Sequence, residues 1–185
     1  MPNCVEFRTD SNKRIAVYDD LFSRRFREMM FSFASNSMFV IGWPDGATEQ
    51  MRTNSFLHSR FSYDDVVNCG ILDEIRASSA ASELDGLEFE HCVLNLSTPA
   101  DSHYPHTHPE ETIFLYYVNT EWFDGWHGET LFFDETLKTI AHACMYTPGR
   151  LVIFDGTIPH AIRPQSHIAN KYRFTLALTF KKGRS

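Results

Sequence analysis

The chain has 185 residues, of which 43% are hydrophobic and 14% aromatic, with Phe alone occurring 16 times; this composition excludes a disordered chain and fits one packed, β-rich domain. A formal net charge of −7 would repel a phosphate backbone, so nucleic acid is disfavoured as a partner. No run approaches the ~20 apolar residues of a membrane span, and the opening residues lack the basic-then-apolar layout of a signal peptide, so the expectation is a cytoplasmic protein with no membrane partner.

The pattern of elements changes near Leu87. Upstream, the segment beginning at Ile15 reads as a short strand, and Leu21, Phe22, Phe26, Met29, Met30 and Phe33 recur at helical spacing among charged residues, which predicts an amphipathic helix. SMFVIGWPDG at 37–46 predicts a strand ending in a Pro/Gly turn. A second helix is expected from Tyr63 to Ala81, with Ser62 as N-cap and Asp64 and Asp65 in its first turn. Downstream come short β-prone runs separated by turn residues: LEFEHCVLNL, TIFLYYVN, ETLFFD, AHACMYT, RLVIFDG and RFTLALTF. The expected fold is mainly β with N-terminal helices (α+β), a sandwich or jelly roll with a cavity between its sheets and the helices behind the larger one. No repeat or low-complexity tract marks a linker, so one domain is expected, with residues 1–86 supporting a core at 87–182. Cys4, Cys69, Cys92 and Cys144 are scattered, with no Cys-x-x-Cys pair, and read as reduced residues.

SHYPHTHPEE holds three histidines, His103, His106 and His108. On extended backbone, residues two apart point to one side, so His106 and His108 can converge on one ion. The natural third ligand is His160 in FDGTIPHAIRP. Neutral imidazoles suit Fe, Zn, Cu and Ni, and three protein ligands leave positions open for reaction. Alternation in RFTLALTF puts Arg173, Thr175, Ala177 and Thr179 on one face and Phe174, Leu176, Leu178 and Phe180 on the other. A guanidinium facing a cavity needs an anion, and its planar fork matches a carboxylate, so Arg173 with Thr175 reads as a carboxylate receptor.

In order and spacing, the stretch from about Val93 to Phe180 resembles the prolyl-hydroxylase-like branch of the 2-oxoglutarate- and Fe(II)-dependent oxygenases. The matching pieces are His106-Thr107-His108, Tyr117-Val118-Asn119, Gly128-Glu129-Thr130, the run from Pro148-Gly149 to Phe154, His160, and Arg173-Phe174-Thr175. The resemblance implies a double-stranded β-helix, cupin-like, with Fe(II) on His106, His108 and His160. It further implies 2-oxoglutarate held by Arg173, Thr175 and Tyr117, and O2 as the second cosubstrate. Oxidative decarboxylation of 2-oxoglutarate would be coupled to C–H hydroxylation of a peptidyl residue, prolyl among them, or of a small metabolite. Trp122, Trp126 and His127 are candidates for the substrate mouth, or alternatively a packed loop anchor. Glu129 and Asp155 are candidates to hydrogen-bond ligand histidines, and Arg163 is a rival to Arg173.

One position departs from the family pattern: His108 stands where the family has aspartate. Either the site is an all-histidine triad, or the register slides two residues to use His108 with Glu110. The triad is favoured because the slide shortens the connection to Tyr117 and discards His106. Two other classes stay open, a cupin-like three-histidine dioxygenase without 2-oxoglutarate and a jelly-roll binding module that has lost catalysis.

Overall fold

The computed structural model describes residues 3–44, 55–99, 101 and 103–183. Asp45 and Gly46, the end of the expected Pro/Gly turn, lie outside the described residues. The first strands are β1 (Asn3–Arg8), β2 (Arg14–Asp19), β3 (Val40–Pro44), β4 (Ser55–Phe61), β5 (Leu87–Ser97) and β6 (Glu111–Tyr117). They are followed by β7 (Thr130–Phe133), β8 (Ile140–Cys144), β9 (Leu151–Asp155), β10 (His160–Ile162) and β11 (Arg173–Lys182). Eight of them form one sheet in the order β1-β2-β9-β6-β11-β5-β4-β3, and β10-β7-β8 form a second. Every pairing is antiparallel. All six β-prone runs beyond Leu87 are strands. The sequence pattern did not single out β1, β4 or β10: β10 is three residues long, and polar residues interrupt the alternation in β1 and β4.

Two facing sheets bury Ile113, Leu115, Val152 and Phe154 of the large sheet against Phe132 and Cys144 of the small one, which makes the core a jelly roll. The opposite face of the large sheet is covered by helices. Helix α1 (Arg24–Ser35) begins at Ser23, whose hydroxyl accepts from the Phe26 amide and so satisfies one of the first turn's free donors. Its buried stripe is Phe26, Met30 and Ala34. Leu21 and Phe22 precede the helix, and Met29 and Phe33 are exposed, so the expected apolar face is narrower than the spacing suggested.

The helix expected over Tyr63–Ala81 is instead α2 (Tyr63–Asn68) and α3 (Ile71–Arg76), followed by a 3-10 turn at Ala81–Leu84. Gly70 breaks it by adopting φ +74, a left-handed conformation that costs glycine little. The turn re-aims the chain so that Ile71, Leu72 and Ile75 are buried. The start is as expected, a capping box in which Ser62 and Asp65 satisfy each other's backbone amides. The front of the chain also supplies sheet: β2 joins β9 and β4 joins β5, extending both edges of the core. No helix among the described residues is long and apolar enough to cross a membrane.

Candidate functional site

Between the sheets lies a cavity of about 480 Å³, whose wall includes His106, His108, His160, Thr130, Arg173 and Thr175. Its histidines are placed by backbone pairing. His106 and His160 form an isolated antiparallel bridge, exchanging amide-to-carbonyl bonds of 3.1 and 3.0 Å, so their side chains leave the bridge on the same side. His108 follows two residues later, and its amide donates to the Gly156 carbonyl at 2.7 Å. A Cβ on Gly156 would sit 2.3 Å from the His108 carbonyl oxygen, so only glycine lets the His108 loop lie against the end of β9.

One nitrogen from each of His106, His108 and His160 falls within a group no more than 4.8 Å across. Nδ1 of His106 lies 3.2 Å from the Tyr104 carbonyl oxygen, and Nδ1 of His160 lies 2.8 Å from that of Ile158. A carbonyl only accepts, so Nδ1 carries the proton in each and Nε2 keeps its lone pair for a cation. His108 Nδ1 faces a carboxylate, Glu111 Oε2, at 3.5 Å. Three neutral nitrogen donors with outer partners fit a divalent transition ion of the Fe or Zn type. Glu110, on an exposed turn at φ +66, is not in this group. His103 lines the cavity but is likewise outside the group.

Arg173 is 1% exposed. Its Nε donates to the Gly128 carbonyl at 2.8 Å and one terminal nitrogen approaches Thr130 Oγ1 at 3.4 Å. The other terminal nitrogen, Nη1, is buried with no hydrogen-bond partner among the described residues. The guanidinium carbon lies 4.7 Å from the centre of the Tyr146 ring and 5.5 Å from that of Tyr117, so aromatic faces offset part of the cost of burying the cation. Burial lowers the Arg173 pKa, yet arginine's starting value is high enough that it stays charged. Gly128 gives the side chain room: a Cβ there would stand 3.1 Å from Arg173 Cδ.

Tyr117 is not on the cavity wall. Its hydroxyl donates to Thr130 Oγ1 at 2.7 Å, and burial pushes its pKa well above the ordinary value. Tyr117 therefore acts on the pocket through Thr130 and as a face beneath Arg173. Trp122, Trp126 and His127 do not line the cavity either. The Trp122 indole donates to the His127 carbonyl at 2.9 Å and its ring packs 4.7 Å from Tyr146, which is the packed-anchor arrangement. Asp155 caps its own turn by accepting from the Thr157 amide and hydroxyl. Glu129 takes Arg163 at 3.3 Å, and among the described residues neither acid is hydrogen-bonded to a ligand histidine; Arg163 does not line the cavity.

Sequence reasoning missed Glu111, Tyr146, Gly156 and Asn95. Asn95 is paired with Thr175 across β5 and β11 and lines the cavity with its Oδ1 buried and unpartnered. Its position on the inward face of LEFEHCVLNL was the available signal, and Glu111 stands three residues beyond His108; the contacts of Tyr146 and Gly156 arise only on folding.

No family model and no curated protein matches the sequence. Solved structures do match the fold. A prolyl-4-hydroxylase from Pseudomonas putida superposes with TM-score 0.62 at 17% identity, over 91% of this chain and 92% of that one. A Trichoplax adhaerens prolyl hydroxylase, in complex with a peptide fragment of the hypoxia inducible factor oxygen degradation domain, gives 0.64 at 13% identity, over 91% and 83%. HygX from Streptomyces hygroscopicus, with nickel and 2-oxoglutarate bound, gives 0.65 at 10% identity, over 90% and 82%. The chain has the fold of the prolyl hydroxylases and other 2-oxoglutarate–Fe(II) oxygenases.

Proposed function

We propose that this chain is a 2-oxoglutarate-dependent Fe(II) oxygenase that hydroxylates a peptide or small-molecule substrate. The observation that carries the reading is the buried, unpartnered Nη1 of Arg173 in the same cavity as the three histidines. Leaving a buried cationic donor unmet is costly, so the cavity is built for an anion. The register supplies a scale. Ile162 pairs with Thr130, the residue Arg173 approaches, and Ile162 lies two positions beyond His160 on β10. Two strand positions span about 6.6 Å, which suits a short dicarboxylate with one end at the histidines and the other at Arg173.

His106, His108 and His160 would hold the metal, and Arg173, with Thr130 and Thr175 beside it, would hold the far carboxylate. Bound Fe(II) and 2-oxoglutarate supply the O2 activation and C–H oxidation that side chains cannot perform. The chain's own part is orientation and exclusion of water. Val93, Ile113, Leu115 and Phe154 line the cavity with apolar surface, and the Tyr117–Tyr146 stack closes it behind Arg173. The peptide bound by the Trichoplax enzyme supports a peptidyl substrate as one member of the class.

Anaerobic titration of the protein with Fe(II), with and without 2-oxoglutarate, tests this reading. One metal per chain is expected, with a visible charge-transfer band that requires both additions. Iron binding without 2-oxoglutarate binding would instead identify a three-histidine dioxygenase, and no iron binding would leave a binding module.

A further inference from the structure

The outer nitrogen of His108 faces a carboxylate. The nitrogens of His106 and His160 that face away from the cluster meet main-chain carbonyls, which are neutral. His108 Nδ1 meets Glu111 Oε2 at 3.5 Å, and the Glu111 side chain is only 15% exposed. His108 is also where a carboxylate more commonly completes an iron site with two histidines. Three imidazoles alone leave the charge of a dication uncompensated.

We propose that Glu111 is a positioning residue that returns this missing negative charge from behind His108, across one imidazole ring. The inference rests on the metal reading above. At 3.5 Å the contact is at the limit of a hydrogen bond and works mainly through charge. A carboxylate there holds the proton on Nδ1, directs Nε2 at the cluster and makes the ring a more electron-rich donor. The backbone fixes the pair. The Glu111 amide donates to the His108 carbonyl at 3.2 Å, and the Gly156 amide donates to the Glu111 carbonyl at 2.8 Å, while Gly156 accepts from His108. One glycine thus holds both residues of the turn. His91 and Lys181 also bear electrostatically on the Glu111 carboxylate, and Lys181 is itself engaged by Glu90 at 2.8 Å.

The test is a double-mutant cycle on the full chain, reading Co(II) affinity by chelator competition in wild type, Glu111→Gln, His108→Asp and the double variant. Glu111→Gln should weaken Co(II) by roughly 10–100-fold. With His108→Asp the charge lies directly in the cluster, so adding Glu111→Gln should change affinity by no more than about twofold. An equal loss in both backgrounds, or no loss in the wild-type background, overturns the assignment. If metal-free Glu111→Gln melts lower, the Co(II) ligand-field spectrum at saturation decides instead: an altered spectrum supports the role of Glu111, and one identical to wild type overturns it. Wild type that fails to bind Co(II) would overturn the metal reading and this inference together. Wild type that binds Co(II) irrespective of Glu111 overturns this inference alone.

Discussion

The two faces of β11 do opposite work with one strand. On one side Phe174, Leu176, Leu178 and Phe180 join Met30, Ile71 and Ile75 of the helices in a dry cluster. Toward the small sheet, Arg173, Thr175, Ala177 and Thr179 line the cavity. Packing is non-directional, so the dry face is satisfied by any well-fitting apolar neighbours. The cavity face cannot be satisfied in that way, because Arg173 Nη1 and, opposite Thr175 on β5, Asn95 Oδ1 are buried without hydrogen-bond partners among the described residues. The contrast separates stability from binding: changes on the helix face should act on folding, and changes on the cavity face on ligands.

The largest effect should come from the histidines. His106→Ala and His160→Ala should each lose bound metal after desalting, measured by elemental analysis, while His103→Ala keeps it. Full metal content in both of the first two would dissolve the cavity side of the contrast. On the helix face, Leu178 is fully buried, so Leu178→Ala should cost about 2–5 kcal/mol in urea unfolding. The metal affinity of the protein that remains folded should not change; an altered affinity would show that the faces are coupled.

Arg173→Lys sharpens the comparison within the cavity. Lysine keeps the charge and loses the planar fork, so 2-oxoglutarate affinity should fall by about 1.5–3 kcal/mol while iron stoichiometry stays that of wild type. Equal 2-oxoglutarate affinity would remove Arg173 as its anchor.

The smallest effect lies away from both faces, where Arg14 holds Glu83 through bonds of 2.7 and 2.6 Å. The Arg14 guanidinium keeps the Glu83 carboxyl below its ordinary value of 4.5. A depressed native pKa means the stabilisation is fully present above the unfolded value and is lost as pH falls through the native one. Glu83→Gln should therefore lower stability near neutral pH by about 1 kcal/mol or less, with the gap to wild type closing in acid. Thermal melts across pH that ran parallel would show that the pair contributes nothing.

The sequence by itself determined the rear half of the fold, because strand alternation and turn residues are local signals. RFTLALTF announced both faces of β11, and His106 and His108 were legible because His-x-His on extended backbone can converge locally, whereas His160 joins them through its bridge to His106. Helix limits were less legible. Gly70 breaks one predicted helix in two, and the reason is that Ile71, Leu72 and Ile75 must reach a core surface made by other strands. Trp122, Trp126 and His127 followed Tyr117 in the chain and could be read as substrate mouth or as packed loop anchor; tertiary packing, with Trp122 against Tyr146, decided for the anchor. The Glu111–His108 contact is local, three residues apart, but only the folded chain could seat Gly156 beneath both and bury Arg173 with a nitrogen left to bind. Each of those arrangements depends on close approach between strands far apart in sequence, which no local pattern encodes.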